Sequence, residues 1–515
     1  MLNLSVLLEA AAASTPNAPA FTFGDTTHTY TQVNSAANQI ANGLISKGIE
    51  KGDKVALSCL NLPYFPIVYF GILKAGGSVV PLSVLLKKDE IAYHLSDSDA
   101  KAYFCFIGTP DLPMLEMGHA GFLETAQCEH LFAITAKPAD ASPIDGVSTM
   151  GSLMSGQAPT FEASMTGADD TAVIIYTSGT TGRPKGAELS HSNLYCNAVV
   201  SADLFKANKD DVMLCVLPLF HIFAMTCLMN AGVYRSAHII LLPRFDANEV
   251  FGLMQKHKVT VFAGVPTMYW SINKYNDPKY DYGSISKNLR VAVSGGASLP
   301  LAVLEDFEKR FNVPILEGYG MSEGSPIVTF NRTDIPRKPG SVGKEVWGVS
   351  VKIVDDKGKE VPVGERGELI YKGHNVTKGY YNKPEANAKT LKNGWLHSGD
   401  VAIKDEDGYY FIVDRTKDMI IRGGLNVYPR EVEETMIKHP EVSLVAVIGI
   451  PDDKMGEEIK AYVVLNEGGS IEAKELKEWT KANIAAYKYP RQVEIIDALP
   501  MSATGKILKK ELRKR

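Results

Sequence analysis

The chain has 515 residues, which at roughly 150 residues per domain leaves room for about two to four domains and a large buried core. Apolar residues make up 45% and charged residues 22%, as in ordinary globular proteins, which excludes a disordered or collagen-like chain. The formal net charge is −5. No broad basic surface for nucleic acid is indicated, so we expect no nucleic-acid partner.

The six cysteines are scattered, and no two are spaced as a CxxC pair, so neither a zinc site nor a disulfide framework is indicated. The N-terminal stretch MLNLSVLLEAAAASTP lacks a basic leader and carries Glu9 among its apolar residues. This pattern is typical of an amphipathic helix and not of a secretion signal. The terminal LRKR matches neither a peroxisomal address nor a prenylation box. We therefore expect a cytoplasmic protein with reduced thiols.

The stretch from Val212 to Tyr234 contains no Asp, Glu, Lys or Arg and is long enough in principle to span a membrane. Pro218, His221 and Asn230 interrupt it, and no basic or aromatic flanks mark membrane interfaces. We predict a buried strand, loop and helix around a pocket, and no transmembrane segment. Peripheral membrane contact through an apolar patch stays open. The oligomeric state also stays open, with a dimer as one possibility.

Short apolar runs alternate with helical patterns in the middle of the chain. The runs that we predict as strands are TAVIIYTSG (171–179), KVTVFAGVP (258–266), LRVAVSGG (289–296) and VPILEGYG (313–320). Such alternation predicts βαβ units and a largely parallel sheet, hence an α/β fold. Ligands of such sheets bind at the strand tips, so the polar loops after these strands are candidate sites.

From about residue 340 the pattern changes to short strands joined by turn signals, as in VKIVDDKGKEVPVG (351–364) and VAIKDEDGYYFIVDR (401–415). These are typical of antiparallel hairpins and predict a β-rich subdomain over about 340–415. Helix and strand then alternate over about a hundred residues, enough for an independent domain. We therefore predict a large N-terminal domain, residues 1–416, and a small α+β C-terminal domain, residues 417–515.

The segment YTSGTTGRPKG (176–186) has the composition of a phosphate-binding loop. Glycines let the backbone approach an anion, hydroxyls and amides donate hydrogen bonds, and a lysine supplies charge. It is not a Walker A loop, because Arg183 and Pro184 separate the last glycine from the lysine. The candidate nucleotide-binding residues of this segment are Thr177, Ser178, Gly179, Thr180, Thr181, Gly182 and Lys185.

This segment is very similar to the phosphate-binding signature of the adenylate-forming enzymes, which include acyl- and aryl-CoA synthetases, firefly luciferase and peptide synthetase adenylation domains. Further motifs of that superfamily follow in the same order over nearly the whole chain. They are LPLFHIF (217–223), SGGASL (294–299), EGYGMSE (317–323), HSGD (397–400), DRTKDMIIRGGLNVYPREVE (414–433) and PMSATGK (500–506). The resemblance implies an ATP- and Mg²⁺-dependent enzyme with CoA as co-substrate.

The resemblance assigns the adenine site to two of these motifs. Tyr319 would stack on adenine opposite Gly296 and Ala297, while Glu317 and Gly318 would line the nucleotide. A lone Gly-Tyr-Gly tripeptide is more often a plain turn, so this assignment depends on the whole ordered array of motifs.

The phosphate and sugar contacts follow from the same comparison. Ser322 stands where the family usually has threonine and still offers a hydroxyl to the α-phosphate. Glu323 would hold Mg²⁺ together with the Thr177 side, since one oxygen ligand plus substrate phosphates is the usual way of holding this ion. The carboxylate of Asp400 could accept both ribose hydroxyls, and Arg415 offers a donor fork to the same sugar or phosphate.

The family's P-x4-GK lysine is Lys506 in this chain, and the resemblance implies that it reaches the α-phosphate and the carboxylate during adenylation. Its function would be electrostatic stabilisation of the charge that develops in an in-line displacement. A lysine on a separate C-terminal domain must enter the site and then leave it, so the chain needs a hinge. By the family pattern the hinge is Lys417, and Gly423 and Gly424 belong to the face that lines the CoA thiol tunnel after rotation.

The acyl pocket is expected around PLFHIF. His221 and Phe223 would lie beside the acyl group and the pantetheine exit, with Gly264 in the same cavity. His221 is a pocket residue on this reading, and work as a general base is the weaker alternative. Acetyl-specific relatives carry tryptophan at the position of Gly320, so its glycine is expected to leave space for a longer or aromatic acyl group.

These features favour an ATP-dependent acid:CoA ligase acting on a medium- or long-chain fatty acid, which forms acyl-AMP and pyrophosphate and then acyl-CoA. The main rival is an aryl-CoA ligase of the 4-coumarate type. An acyl-AMP ligase that loads a carrier protein and a non-catalytic nucleotide-binding protein also stay open, as does oxygen chemistry of the luciferase kind. A peptide-synthetase role is disfavoured, because no acid in 212–234 could hold a substrate amine.

Overall fold

The computed structural model describes residues 1–177, 183–415 and 417–515. The strands are β1 (Pro19–Phe23), β2 (Thr26–Thr29), β3 (Lys54–Ser58), β4 (Ser78–Pro81), β5 (Ala100–Phe106), β6 (His130–Ile134), β7 (Ser148–Thr149), β8 (Thr171–Thr177), β9 (Lys185–Ser190), β10 (Val212–Cys215), β11 (His238–Leu241), β12 (Val261–Gly264), β13 (Val291–Ser294), β14 (Ile315–Gly320), β15 (Ile327–Phe330), β16 (Lys344–Glu345), β17 (Val349–Val354), β18 (Arg366–Gly373), β19 (Gly379–Tyr380), β20 (Leu391–Lys392), β21 (Trp395–Lys404), β22 (Tyr410–Arg415), β23 (Ile420–Arg422), β24 (Leu425–Val427), β25 (Val442–Asp452), β26 (Gly456–Leu465) and β27 (Gln492–Ile495).

The α-helices are α1 (Val6–Ser14), α2 (Tyr30–Ser46), α3 (Tyr64–Lys74), α4 (Lys88–Asp97), α5 (Met114–Phe122), α6 (Met150–Met154), α7 (His191–Leu204), α8 (Ala231–Tyr234), α9 (Ala247–His257), α10 (Pro266–Lys274), α11 (Tyr282–Asn288), α12 (Leu301–Phe311), α13 (Pro384–Thr390), α14 (Pro429–Met436), α15 (Ala473–Asn483) and α16 (Lys509–Leu512). A π-helix covers Phe223–Asn230 and a 3-10 helix covers Ser322–Gly324.

Two mixed sheets form the body of the chain. The nine-stranded sheet has the order β16-β15-β14-β13-β12-β10-β11-β1-β2, and its strands from β14 to β1 run parallel. The eight-stranded sheet has the order β19-β9-β8-β4-β3-β5-β6-β7 and is parallel from β8 to β7. Their central strands are buried on both faces, which explains why they are continuous apolar runs. The predicted α/β fold with a largely parallel sheet is confirmed.

The region from 340 to 415 forms the predicted antiparallel hairpins. β17 pairs with β18, β18 with β21 and β21 with β22, all antiparallel. Asp400 lies inside β21 rather than at a strand edge, and its direct cross-strand partner is Arg415 at the end of β22. This pairing places two predicted nucleotide-binding residues side by side.

The C-terminal part has a sheet of its own, with β24-β23-β26-β25 in order and β27 paired to β26. Two hydrophobic clusters, one around Val432, Val447 and Val463 and one around Ile448 and Tyr462, are built from this part of the chain. The C-terminal part therefore has its own sheet and core, as expected for a small α+β unit that follows a large N-terminal one. The boundary between 416 and 417 stays a prediction, and Thr416 lies outside the described residues.

The uncharged stretch 212–234 folds as a buried strand, a loop and a helix, as predicted. β10 is followed by the loop that carries His221 and then by the π-helix, which runs directly into α8. Spanning a bilayer would require a longer apolar helix than any found in residues 1–177, 183–415 and 417–515. The π-helix begins at Phe223, beside the predicted acyl pocket, and insertions of this kind often occur at functional sites.

Candidate active site

One cavity of about 740 Å³ lies where the carboxyl ends of β12, β13 and β14 meet β8, β21 and the loop before α16. Most of the residues predicted from the motifs line it: Thr177, Lys185, His221, Phe223, Gly296, Ala297, Gly318, Tyr319, Gly320, Ser322, Glu323, Asp400, Arg415, Lys417 and Lys506. Residues as far apart in the sequence as Thr177 and Lys506, 329 positions, thus line the same cavity.

Asp400 is the centre of a buried polar cluster. The Tyr319 hydroxyl donates to Asp400 Oδ2 at 2.6 Å, and Arg415 Nε lies 3.1 Å from Asp400 Oδ1. The pKa of Arg415 is raised because the attraction of Asp400 and neighbouring groups outweighs the opposing effect of burial. A carboxylate has about four acceptor positions, so Asp400 keeps capacity for the ribose hydroxyls. Tyr319 is thereby held by its phenol while its ring faces the cavity.

The loop after β13 supplies the other wall of the predicted adenine site. Gly296 has a φ of +80°, a left-handed conformation that favours glycine. At Gly295 a Cβ would come within 3.2 Å of the Phe223 ring, so that ring packs directly on the loop backbone. Gly295, Gly296 and Ala297 all line the cavity, together with Tyr319, as the motif assignment requires.

Glu317 is not among the residues that line the cavity, and its predicted place among the nucleotide contacts stays a prediction. Its side chain is only 4% exposed, and Oε1 accepts a hydrogen bond from the backbone N–H of Leu299 at 3.1 Å. Burial raises the pKa of Glu317 to about 7. This hydrogen bond holds Leu299, the last residue of the SGGASL motif, in place, so Glu317 stabilises the loop that lines the cavity.

Glu323 and Thr177 lie in the same cavity, as predicted for a metal site. Glu323 is 5% exposed, and the Tyr380 hydroxyl donates to its Oε1 at 2.7 Å. Among the residues that the structure describes, no basic group lies within ion-pair distance of this carboxylate. A buried carboxylate without a cationic neighbour is suited to receive a metal ion.

Lys506 reaches the cavity from a tight loop near the C-terminus. The loop is closed by Ser502, whose N–H donates to Lys506 O at 2.8 Å and whose hydroxyl accepts from Lys506 N at 3.1 Å. The side chain is still exposed to solvent, but the surrounding protein atoms, with Arg415 nearby, lower the pKa of the Lys506 amine to about 8. Lys417, the predicted hinge, also lines the cavity, and burial lowers its pKa. The structure therefore shows the C-terminal lysine inside the nucleotide cavity.

His221 and Phe223 line the cavity, as do the apolar residues Val265 and Ile327. Burial, together with the charge of Lys506, lowers the pKa of His221 to about 4, so the imidazole is neutral at pH 7. Its Nδ1 accepts a hydrogen bond from the N–H of Phe223 at 3.3 Å. A base this weak is poorly matched to a thiol of pKa about 8.5, so the geometry favours pocket lining.

Two glycines of the predicted acyl pocket are closely packed. Gly264 is not among the residues that line the cavity, and a Cβ there would meet the Phe262 ring at 3.2 Å. Gly320 lines the cavity, and a Cβ there would collide with the carbonyl oxygen of Pro326, so glycine permits the close approach of β14 to the turn before β15. The acyl-pocket roles of both residues stay predictions.

Two further groups of predicted residues do not line the cavity as described. Ser178, Gly179, Thr180, Thr181 and Gly182 lie outside the described residues. Gly423 and Gly424 are in the turn between β23 and β24 and do not line the cavity, so their predicted role at the CoA tunnel requires a second arrangement and stays a prediction.

The sequence reasoning missed several residues that line the cavity: Tyr380, Glu368, His397, Lys389 and Lys392. Glu368 accepts from Gly399 N–H at 3.0 Å and contacts His397 Nδ1 at 2.7 Å, so it holds the HSGD turn. The two lysines stand in KTLKNGW, directly before HSGD. Proximity to that motif was the only signal that could have pointed to them.

Comparison with known proteins identifies the family. Residues 8–381 match the model of the AMP-binding enzyme family, and residues 431–506 match the AMP-binding enzyme C-terminal domain. A feruloyl-CoA synthase from Amycolatopsis sp is 37% identical over 98% of this chain and 97% of its own. A long-chain-fatty-acid–CoA ligase from Bacillus subtilis (strain 168) is 35% identical over 99% and 94%.

Solved structures agree with this. The anthranilate CoA ligase AuaEII in complex with anthranoyl-AMP has a TM-score of 0.91 and 31% identity, covering 99% of this chain and 96% of that one. ATP-bound MatB from Rhodopseudomonas palustris has a TM-score of 0.89 and 30% identity, covering 100% and 99%. The chain therefore belongs to the AMP-binding enzyme family and is an acid:CoA ligase of the adenylate-forming type.

Proposed function

We propose that this protein is an AMP-forming ligase that joins a large apolar carboxylic acid to CoA, with a medium- or long-chain fatty acid as the first candidate. The observation that carries the proposal is one cavity lined both by charged side chains, Asp400, Arg415 and Lys506, and by apolar ones such as Phe223 and Ile327. Such a lining would accommodate both the apolar part and the reacting oxygen of a carboxylic acid.

In the first reaction a carboxylate oxygen of the acid attacks the α-phosphorus of ATP, and the bond to pyrophosphate breaks, giving acyl-AMP. Tyr319 and Asp400 would orient the nucleoside, and Lys506 would stabilise the negative charge that develops around the α-phosphate and the attacking carboxylate. In the second reaction the CoA sulfur attacks the acyl carbonyl, and AMP leaves as the thioester forms.

Mg²⁺ is the proposed metal, and Glu323, with the Thr177 side, would hold it. When bound, it would neutralise phosphate charge during the displacement. The unpaired, buried carboxylate of Glu323 supports this assignment. Glu323→Gln should raise the Mg²⁺ concentration needed for half-maximal activity, with the ATP concentration kept saturating.

Lys506 occupies space that the second reaction needs, so we propose that the tail rotates away after adenylation. Lys417 is the proposed pivot, and Gly423 and Gly424 would then approach the pantetheine arm. A ligase trapped in the present arrangement, for example by a crosslink between the tail and residues near Val265, should make acyl-AMP and fail to consume CoA.

An aromatic acid is the second candidate, and a specific observation favours it. Phe223 packs on Gly295, and the ring of Phe330 presses on Gly318, so two aromatic rings border the cavity. Flat substrates suit such walls.

A panel of acids separates the two candidates. AMP release would be measured with CoA and ATP for octanoate, palmitate, benzoate, 4-coumarate and ferulate, with acetate as the small control. A higher kcat/KM for the aliphatic acids would support the first candidate, and the reverse order would support the second. Pyrophosphate exchange with any acid but no CoA consumption would instead indicate a loader of carrier proteins.

A further inference from the structure

The cavity carries an excess of positive charge, and its lysines lack carboxylate partners. Six basic side chains line it, at positions 185, 389, 392, 415, 417 and 506, against the carboxylates of Glu323, Glu368 and Asp400. Arg415 is paired with Asp400, but none of the five lysines is within 4.0 Å of a carboxylate oxygen in the described ranges. The six residues outside those ranges are Ser, Gly and Thr and carry no acid.

The three carboxylates of the cavity are already engaged. Glu368 is held by His397 and by the N–H of Gly399, Glu323 accepts from Tyr380, and Asp400 accepts from Tyr319 and pairs with Arg415. In the described ranges none of the three is within 4.0 Å of a lysine of the cavity. With six basic against three acidic side chains, the lining of the cavity carries a net positive charge that favours an anionic ligand.

Lys389 and Lys392 lie next to the proposed phosphate and metal groups. Thr390, between them in the chain, lies near the Tyr380 phenol. The Tyr380 ring is in turn 4.7 Å from Lys185 Nζ, and its hydroxyl donates to Glu323. Lys389 lies in the last turn of α13 and Lys392 in β20, and both are exposed residues that line the cavity.

We propose that Lys389 and Lys392 bind the terminal phosphates of ATP and then the pyrophosphate product. The proposal rests on the proposed adenylation function. During the reaction the terminal phosphates of ATP become free pyrophosphate. Lysines are suited to bind both forms, because each ammonium group is a compact charge on a flexible side chain. Charge accumulates on the leaving pyrophosphate during the displacement, so the two lysines also stabilise the departing group.

The test compares two ligands that share the site but differ in the phosphates concerned. Binding of pyrophosphate with Mg²⁺, and separately of AMP, would be measured by calorimetry on the full chain. In Lys389→Ala/Lys392→Ala the Kd of pyrophosphate should rise about tenfold or more, as expected for two lost charge-assisted contacts, while the Kd of AMP stays within about twofold. The control is Lys372→Ala, an exposed lysine of β18 that does not line the cavity.

Unchanged binding of AMP shows that the double variant is folded, so no separate assumption about its stability is needed. The proposal is overturned if pyrophosphate binding is unchanged, or if AMP binding weakens by the same factor. Lys389→Arg/Lys392→Arg should restore pyrophosphate binding, because it keeps both charges. Calorimetry needs no acid substrate, so failure of the acid panel would refute the proposed function without deciding this result.

Discussion

The hydroxyl of Thr267 donates a hydrogen bond to the carbonyl oxygen of Gly505 at 3.2 Å, across 238 positions of sequence. Gly505 directly precedes Lys506 and has a φ of +75°. A Cβ at this position would lie 2.9 Å from Val265 Cγ2 and 3.0 Å from Thr267 Oγ1. The glycine thus lets the tail loop press against the start of α10, which puts the lysine in the cavity.

Gly505→Ala should slow adenylation about tenfold or more and leave the reaction of supplied acyl-AMP with CoA unchanged. The added methyl group collides with Val265 and Thr267, in addition to about 1 kcal/mol of left-handed backbone strain. Pyrophosphate exchange and thioester formation from acyl-AMP would be measured side by side.

The matched control for this variant is Gly468→Ala. Gly468 has a φ of +79° and nothing within 4 Å of a Cβ, so it tests backbone strain without the collision. An equal effect of both variants on exchange would show that strain, and not docking of the loop, is responsible.

Adenylation should depend on the protonation of Lys506. The surrounding protein atoms lower its pKa to about 8, so in the free enzyme the amine loses its charge as the pH rises through 8. The kcat/KM for ATP in pyrophosphate exchange should therefore fall above about pH 8. Lys506→Arg stays charged and should move this alkaline limb upward, whereas Lys506→Ala should lose exchange by several orders of magnitude. A limb near pH 8 that persists in the arginine variant would assign the titration to another group.

Lys274 should stabilise the arrangement in which the tail is docked. Its Nζ donates to Asn466 Oδ1 at 2.6 Å and to Ser443 Oγ at 3.4 Å, and it lies 4.1 Å from the Trp270 ring centre. Lys274→Ala should reduce exchange about fivefold, the equivalent of about 1 kcal/mol for a partly exposed charged contact. Lys287→Ala, on the neighbouring α11, is the control. Equal losses in exchange and in thioester formation would contradict a role confined to docking.

Gly320→Ala should destabilise the protein rather than change its acyl preference. The clash is with the backbone carbonyl of Pro326, which cannot rotate away as a side chain can. We expect a lower Tm and a uniform loss of kcat/KM across the acid panel. Gly295→Ala is the contrast, because its Cβ would meet only the Phe223 ring at 3.2 Å. Selectivity that shifts in Gly320→Ala at unchanged Tm would support the acyl-pocket prediction instead.

Motif order predicted the residues whose roles depend on local backbone and residue type. Tyr319, Asp400 and Lys506 line one cavity as expected. Tertiary contacts could not be predicted in the same way. The side chain of Glu317 accepts from the N–H of Leu299, and a Cβ at Gly320 would meet Pro326, which no residue pattern near these positions indicates. Lys389 and Lys392 were not predicted, because basic residues in a short surface segment are ordinarily solvated. Hydrogen bonds between Asn387 of α13 and Tyr380, which itself lines the cavity, bring this segment to the site.

The cross-strand pairing of Asp400 with Arg415 has one more consequence. Arg415 is the last residue of β22, so this member of the proposed ribose-binding pair lies two positions before Lys417, the proposed pivot. In the proposed mechanism the nucleotide would stay bound as acyl-AMP while the C-terminal part rotates, and its ribose would hold Asp400 and Arg415 in place beside the pivot. Release of AMP after thioester formation would then free the nucleotide site and the pivot together.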